Sequence, residues 1–158
     1  HLTGALLDML AGTRLVHVPY KGTSLATTDL LGGQIMMMFG SALGVVPHVR
    51  TKRLTAIALS SSRRTPALPG LPAAAETIPG FAADLSYALF APAHTPADIV
   101  NRLNREVTAT LADASVKSKL SDQGVDAYPS TPAELASLMK AEFDKWGKVV
   151  KATGARVN

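Results

Sequence analysis

The sequence of 158 residues contains no cysteine, which excludes a disulfide framework and thiolate chemistry and leaves the redox compartment open. Aromatics are scarce, with four Phe, three Tyr and one Trp. That leaves no run of rings on which nucleic-acid bases could stack, although the net charge of +4 suits an anionic partner. The basic residues Arg50, Lys52, Arg53, Arg63 and Arg64 read as a solvated face, and no nucleic-acid partner is expected. No stretch of about eighteen apolar residues runs uninterrupted, so no membrane span is expected. Catalytic signatures are missing as well: there is no Gly-x-Ser-x-Gly elbow and no phosphate loop of the Gly-x-x-x-x-Gly-Lys kind. The histidines His1, His17, His48 and His94 lack a paired carboxylate or a helical partner one turn away, which argues against a metal site. Asp8, Asp29 and Asp84 read as a helix face, a helix start and a loop. The chain is therefore expected to be neither an enzyme nor the holder of a cofactor.

What is present is the composition of a folded chain, 47% hydrophobic and 18% charged. Leu2 to Leu10 predicts a helix closed by a left-handed cap at Gly12. Leu15 to Tyr20 predicts a short strand, followed by the small-residue loop Lys21-Gly22-Thr23-Ser24 and a helix from Thr28 to Gly33. Gln34 to Phe39 predicts a buried strand, with Met36, Met37 and Met38 as core packing. A helix over Leu43 to Arg50, a strand over Leu54 to Leu59 and a proline-punctuated loop from Pro66 to Pro79 follow. Leu85 to Ala91 is a fourth strand candidate. Alternating elements with near-continuous apolar strands define an α/β fold with a mainly parallel sheet and helices on both faces.

The remainder is helical. Thr95-Pro96-Ala97-Asp98 predicts a helix start capped by Thr95, and Ile99, Leu103, Val107 and Leu111 give it an apolar stripe. A smaller helix is expected around Val116 to Leu120. Thr131-Pro132-Ala133-Glu134 predicts a capping box, after which Leu135, Leu138, Met139, Phe143, Trp146 and Val150 supply a buried face.

Four blocks, Val18-Pro19-Tyr20-Lys21-Gly22, Leu30-Leu31-Gly32-Gly33-Gln34, Met38-Phe39 and Pro47-His48, stand in the order and spacing of the receptors of the tripartite tricarboxylate transporter (Bug) family, which the chain resembles. The likeness continues through Ala67 to Pro72, Pro79-Gly80-Phe81, Ala91 to Pro96 and Lys145 to Lys151. It matches the later part of the family pattern, so the first-lobe segment and any signal peptide are expected to precede His1. The resemblance implies a two-lobed receptor of the type II periplasmic class that closes on its solute. On that reading residues 1–86 are the second ligand-binding lobe and 87–158 the crossover strand and helical return of the first lobe. It implies a periplasmic location, a small carboxylate ligand, permease subunits as membrane partners, and a possible dimer through exposed surfaces. A different class, the effector-binding domain of a transcription regulator, shares this general fold.

A carboxylate receptor needs convergent N–H groups and small hydroxyls at strand-to-helix turns, where helix dipoles favour an anion. Tyr20, Lys21, Gly22, Thr23 and Ser24 are placed there by the first loop, and Phe39, Gly40 and Ser41 follow the second predicted strand. The family pattern often carries an acid at the place of Gly40 and another at Met36; here both are absent. That disfavours an amino-acid ligand and favours a non-amino carboxylate, aromatic or otherwise apolar. Ser86 and Tyr87 replace the Trp-Phe pair frequent near the crossover, so the family's hinge contacts do not carry over there.

Overall fold

A computed structural model describes residues 1–154, in which six α-helices are joined by extended or looped segments, α4 and α5 by a single residue. Helix α1 (Leu2–Ala11) ends as expected at Gly12, whose φ of 67° lets its N–H turn back onto the Asp8 carbonyl at 3.0 Å. Helix α2 (Thr23–Leu31) begins five residues before the predicted Thr28. Gly22 sets that start: at φ 131° and ψ 159° it takes a conformation that side-chain-bearing residues rarely adopt, and the helix follows directly. Helix α3 (Ala42–Arg50) matches its expected span closely.

Three helices make up the later part, α4 (Ala97–Ala112), α5 (Ala114–Asp122) and α6 (Pro132–Thr153). The capping box of α6 forms: the Thr131 hydroxyl accepts the Glu134 N–H at 3.2 Å, and the Glu134 carboxylate accepts the Thr131 N–H at 2.8 Å. Helix α5 is capped by Asp113, which accepts from the Ser115 and Val116 amides at 2.8 and 3.2 Å. The expected Thr95 cap on α4 does not form. Its hydroxyl donates instead to the Pro92 carbonyl at 2.8 Å, and Pro96 takes the cap position.

The four predicted strand segments are extended or irregular without a ladder among the described residues; one isolated parallel bridge joins Leu59 to Ala73. The physical reason is pairing. An apolar segment becomes a strand only beside a neighbour that takes up its N–H and C=O groups. Among the described residues such a bridge exists at one place, where Leu59 N–H bonds the Pro72 carbonyl at 2.8 Å and Ala74 N–H returns to Leu59 at 2.9 Å. Ser60 extends the tie, its carbonyl accepting the Ala83 N–H and its hydroxyl donating to the Ala83 carbonyl, both at 2.8 Å. The methionine run corrects its expected core role for the same reason: Met36 is 98% exposed and Met37 also exposed, while Met38 alone is partly covered.

The main buried cluster is small and joins distant parts of the chain. Leu6 of α1, Phe81, Ala83 and Val149 of α6 are its centre, with Ile78 and Trp146 against them. Lys145 reinforces the junction by donating to the Ala82 carbonyl at 3.0 Å, and the Trp146 indole N–H donates to Glu142 at 2.7 Å. The buried face of α6 is therefore rotated from the expected one: Val149 is 2% exposed, whereas Val150 is exposed and Phe143 stands 79% exposed. Ile99, Leu103 and Val107 of α4 are likewise exposed, because among the described residues α4 packs on α5 alone to any extent.

Candidate functional site

Helices α2 and α3 lie side by side, and a groove of about 490 Å³ runs between them. From α2 it is lined by Thr23, Ser24, Thr27, Thr28 and Leu31, and from α3 and its cap by Ser41, Leu43, Gly44 and His48. The spacing is helical on both sides, so each helix offers one continuous strip. The two helix starts meet at Gly44, where an added side chain would come within 3.8 Å of Thr23 Cγ2.

The hydroxyls of the groove differ in what they offer. Thr27 and Thr28 donate to the Thr23 and Ser24 carbonyls at 2.9 and 3.1 Å, which leaves them lone pairs with which to accept. At the α2 and α3 starts, helix N–H groups without an intrahelical partner add donors and a favourable dipole for an anion. No aspartate or glutamate lines the groove. The acid on α2, Asp29, is held by the Tyr20 hydroxyl, which donates to it at 2.8 Å. That hydrogen bond, helped by desolvation and the charge of Asp29, raises the Tyr20 phenol above its usual range. Asp29 is thus an acceptor within α2 and not the helix start expected of it.

Of the eight residues singled out in the sequence, Thr23, Ser24 and Ser41 line the groove, and Gly22 sets the start of α2. Tyr20 is turned to Asp29 and Lys21 is exposed; neither lines the groove. Phe39 packs towards the core, its ring 6.3 Å from that of Phe81 and tilted by 34°, yet it keeps an exposed edge. Gly40 sits in a tight place. A Cβ there would fall 2.7 Å from Val45 Cγ1 and 3.1 Å from Met38 Cε. Sequence reasoning missed Thr27, Thr28, Gly44 and His48. The signal was the four-residue spacing of Thr23 with Thr27, Ser24 with Thr28 and Gly44 with His48, hidden on α2 because that helix was started too late.

Among solved proteins the arrangement is that of a periplasmic binding protein. It aligns with the R. palustris protein Rpa4515 with adipate at a TM-score of 0.86 and 30% identity, covering 98% of this chain and 52% of that one. It aligns also with the periplasmic binding protein BugD at a TM-score of 0.79 and 30% identity, with the same coverage. Residues 1–155 match the family described as the tripartite tricarboxylate transporter family receptor, and the chain belongs to that family. The family is one of solute receptors and not of enzymes. In sequence the chain is 37% identical over 152 residues to a Pseudomonas sp. (strain P51) protein described as the UPF0065 protein in the tcbD-tcbE intergenic region. The match takes in 95% of this chain and 45% of that relative, so the chain spans about half the length of these proteins.

Proposed function

We propose that this chain supplies one wall of the ligand cleft of a periplasmic receptor, which captures a small non-amino carboxylate and hands it to the permease subunits of a tripartite tricarboxylate-type transporter. The observation that carries the reading is the acid-free, hydroxyl-lined groove at the paired starts of α2 and α3. An ammonium group entering it meets no counter-charge, whereas a carboxylate meets N–H donors and hydroxyls. The solved relative that holds adipate, a dicarboxylate without an amino group, supports the same class. Residues 1–86 act in this scheme as the second lobe, and 87–158 as the return to the first, of which 155–158 lie outside the described residues. The periplasmic site is supported by the naming of BugD as a periplasmic binding protein. No described helix is long and apolar enough to cross a membrane.

The test is a thermal-shift screen against adipate, malate, benzoate, aspartate and glutamate. A ligand held at a hundredfold its Kd stabilises by about 2.7 kcal/mol. A shift with the non-amino acids that exceeds the shift with aspartate or glutamate is expected; the reverse order would sink the reading.

A further inference from the structure

A second recess, of about 530 Å³, lies apart from the groove and shares no lining residue with it. Its walls come from two places far apart in sequence. Arg63, Arg64 and Pro66 belong to the loop after Ser62, while Lys117, Ser121, Asp126 and Tyr128 belong to α5 and the segment beyond it. The two walls are tied together by Thr65, whose hydroxyl donates to Asp126 at 2.5 Å. Arg64 is spoken for, holding Glu76 with two hydrogen bonds of 2.7 Å. Arg63 and Lys117 take part in no ion pair among the described residues. The Arg63 guanidinium stands 5.9 Å from the centre of the Tyr128 ring, and that ring is 73% exposed.

We propose that this recess is a docking site for an acidic, aromatic-bearing segment of a partner protein. The charge is complementary, since Arg63 and Lys117 take part in no ion pair among the described residues, while the one lining acid, Asp126, is engaged by the Thr65 hydroxyl. Tyr128 and the neighbouring Val125 and Pro66 give the apolar floor that an aromatic anchor needs, and Tyr and Arg are the residues most enriched at such contacts. A free small carboxylate is the weaker occupant, because receptors for small molecules enclose most of the ligand's surface, and here Arg63, Lys117 and Tyr128 are all exposed. The position gives the partner a neighbour of consequence. Gly124, next in sequence to the lining residue Val125, packs so closely on α3 that an added Cβ would fall 3.0 Å from Ala42 Cβ and 3.1 Å from Val46 Cγ2, and the other side of α3 lines the groove.

The experiment is fluorescence anisotropy of the protein with a labelled peptide of alternating glutamate and phenylalanine, a lysine-phenylalanine peptide serving as control. Binding of the acidic peptide is expected to weaken by roughly tenfold when Arg63→Glu and Lys117→Glu are combined, as for the loss of two exposed charge contacts of a few-fold each. Arg102→Glu with Arg105→Glu on α4 changes the net charge equally and is expected to leave binding within about twofold. Circular dichroism checks that both variants fold. Equal binding of the lysine peptide, no binding of either, equal loss in both variants, or displacement by free benzoate at the peptide's own concentration would each overturn the proposal. Because the probe is a peptide, the result stands independently of which carboxylate the groove takes.

Discussion

Phe81 and Phe143 allow one chemical change to be made in two environments. Phe81 is 1% exposed at the centre of the Leu6, Ala83 and Val149 cluster, and Phe143 is 79% exposed on α6. Phe81→Ala removes a whole ring from a closed space, at a cost of about 3–5 kcal/mol for transfer plus the cavity left behind. Part of that arises from the Phe39 ring 6.3 Å away, since aromatic pairs contribute about 0.5–1.5 kcal/mol beyond area. With a urea slope of about 2 kcal/mol/M, the midpoint falls by roughly 1.5–2.5 M. Phe143→Ala is expected to stay within about 0.5 kcal/mol, because nothing in the described chain covers it. The single tryptophan, Trp146, packs on the same cluster, so its fluorescence during urea titration reports the right event. Equal losses from the two variants, or a loss below about 1 kcal/mol for Phe81→Ala, would refute the assignment of the core.

Two further outcomes are specific. Hydrogen bonds from Arg64, then from the Ala73 amide, hold the Glu76 carboxyl down from 4.5 to about 2, so its contribution is present above the unfolded value and fades as pH falls from about 4.5 towards 2. The thermal midpoint of Glu76→Gln should therefore lie below wild type at pH 6 and converge with it near pH 2; parallel curves throughout would contradict the assignment. Gly40→Asp is expected to destabilise by about 1–3 kcal/mol by overpacking against Val45, and Val45→Ala should recover most of the loss in chemical denaturation. An undiminished midpoint in the single variant would show that the site is roomier than the distances indicate.

The helices were legible because their signals are local. Gly12 closed α1, Thr131 and Glu134 opened α6, and both act within one turn of where they are read. Thr95 failed as a cap although its residue type was right, because α4 starts at Ala97 with Pro96 in the cap position, and the Thr95 hydroxyl donates to the Pro92 carbonyl. The strands were legible as apolar segments but not as pairs, since a ladder depends on a neighbour that the segment itself does not specify. The face of α6 was misjudged between Val149 and Val150 for a related reason: apolar residues stand at both positions, and only the contact with Leu6 and Phe81 chooses between them. At the site, the hydroxyl loop at Thr23 and Ser24 and the turn at Ser41 were visible as small residues after apolar runs. The groove was not, because it required the relative placement of two helices and a start for α2 that depends on the backbone angle of Gly22.

The pairing of α1 with α6 also sets an order of events during folding. Residues 2–11 reach their main helical neighbour, residues 132–153, only by closing a loop of about 120 residues, a slower step than the meeting of near neighbours. Until then Leu6 and Phe81 have no Val149 to close on, while α2 and α3, separated by only ten residues of chain, can meet early. The groove between these two helices is thus assembled from near neighbours, and the contact of α6 with α1 arrives last.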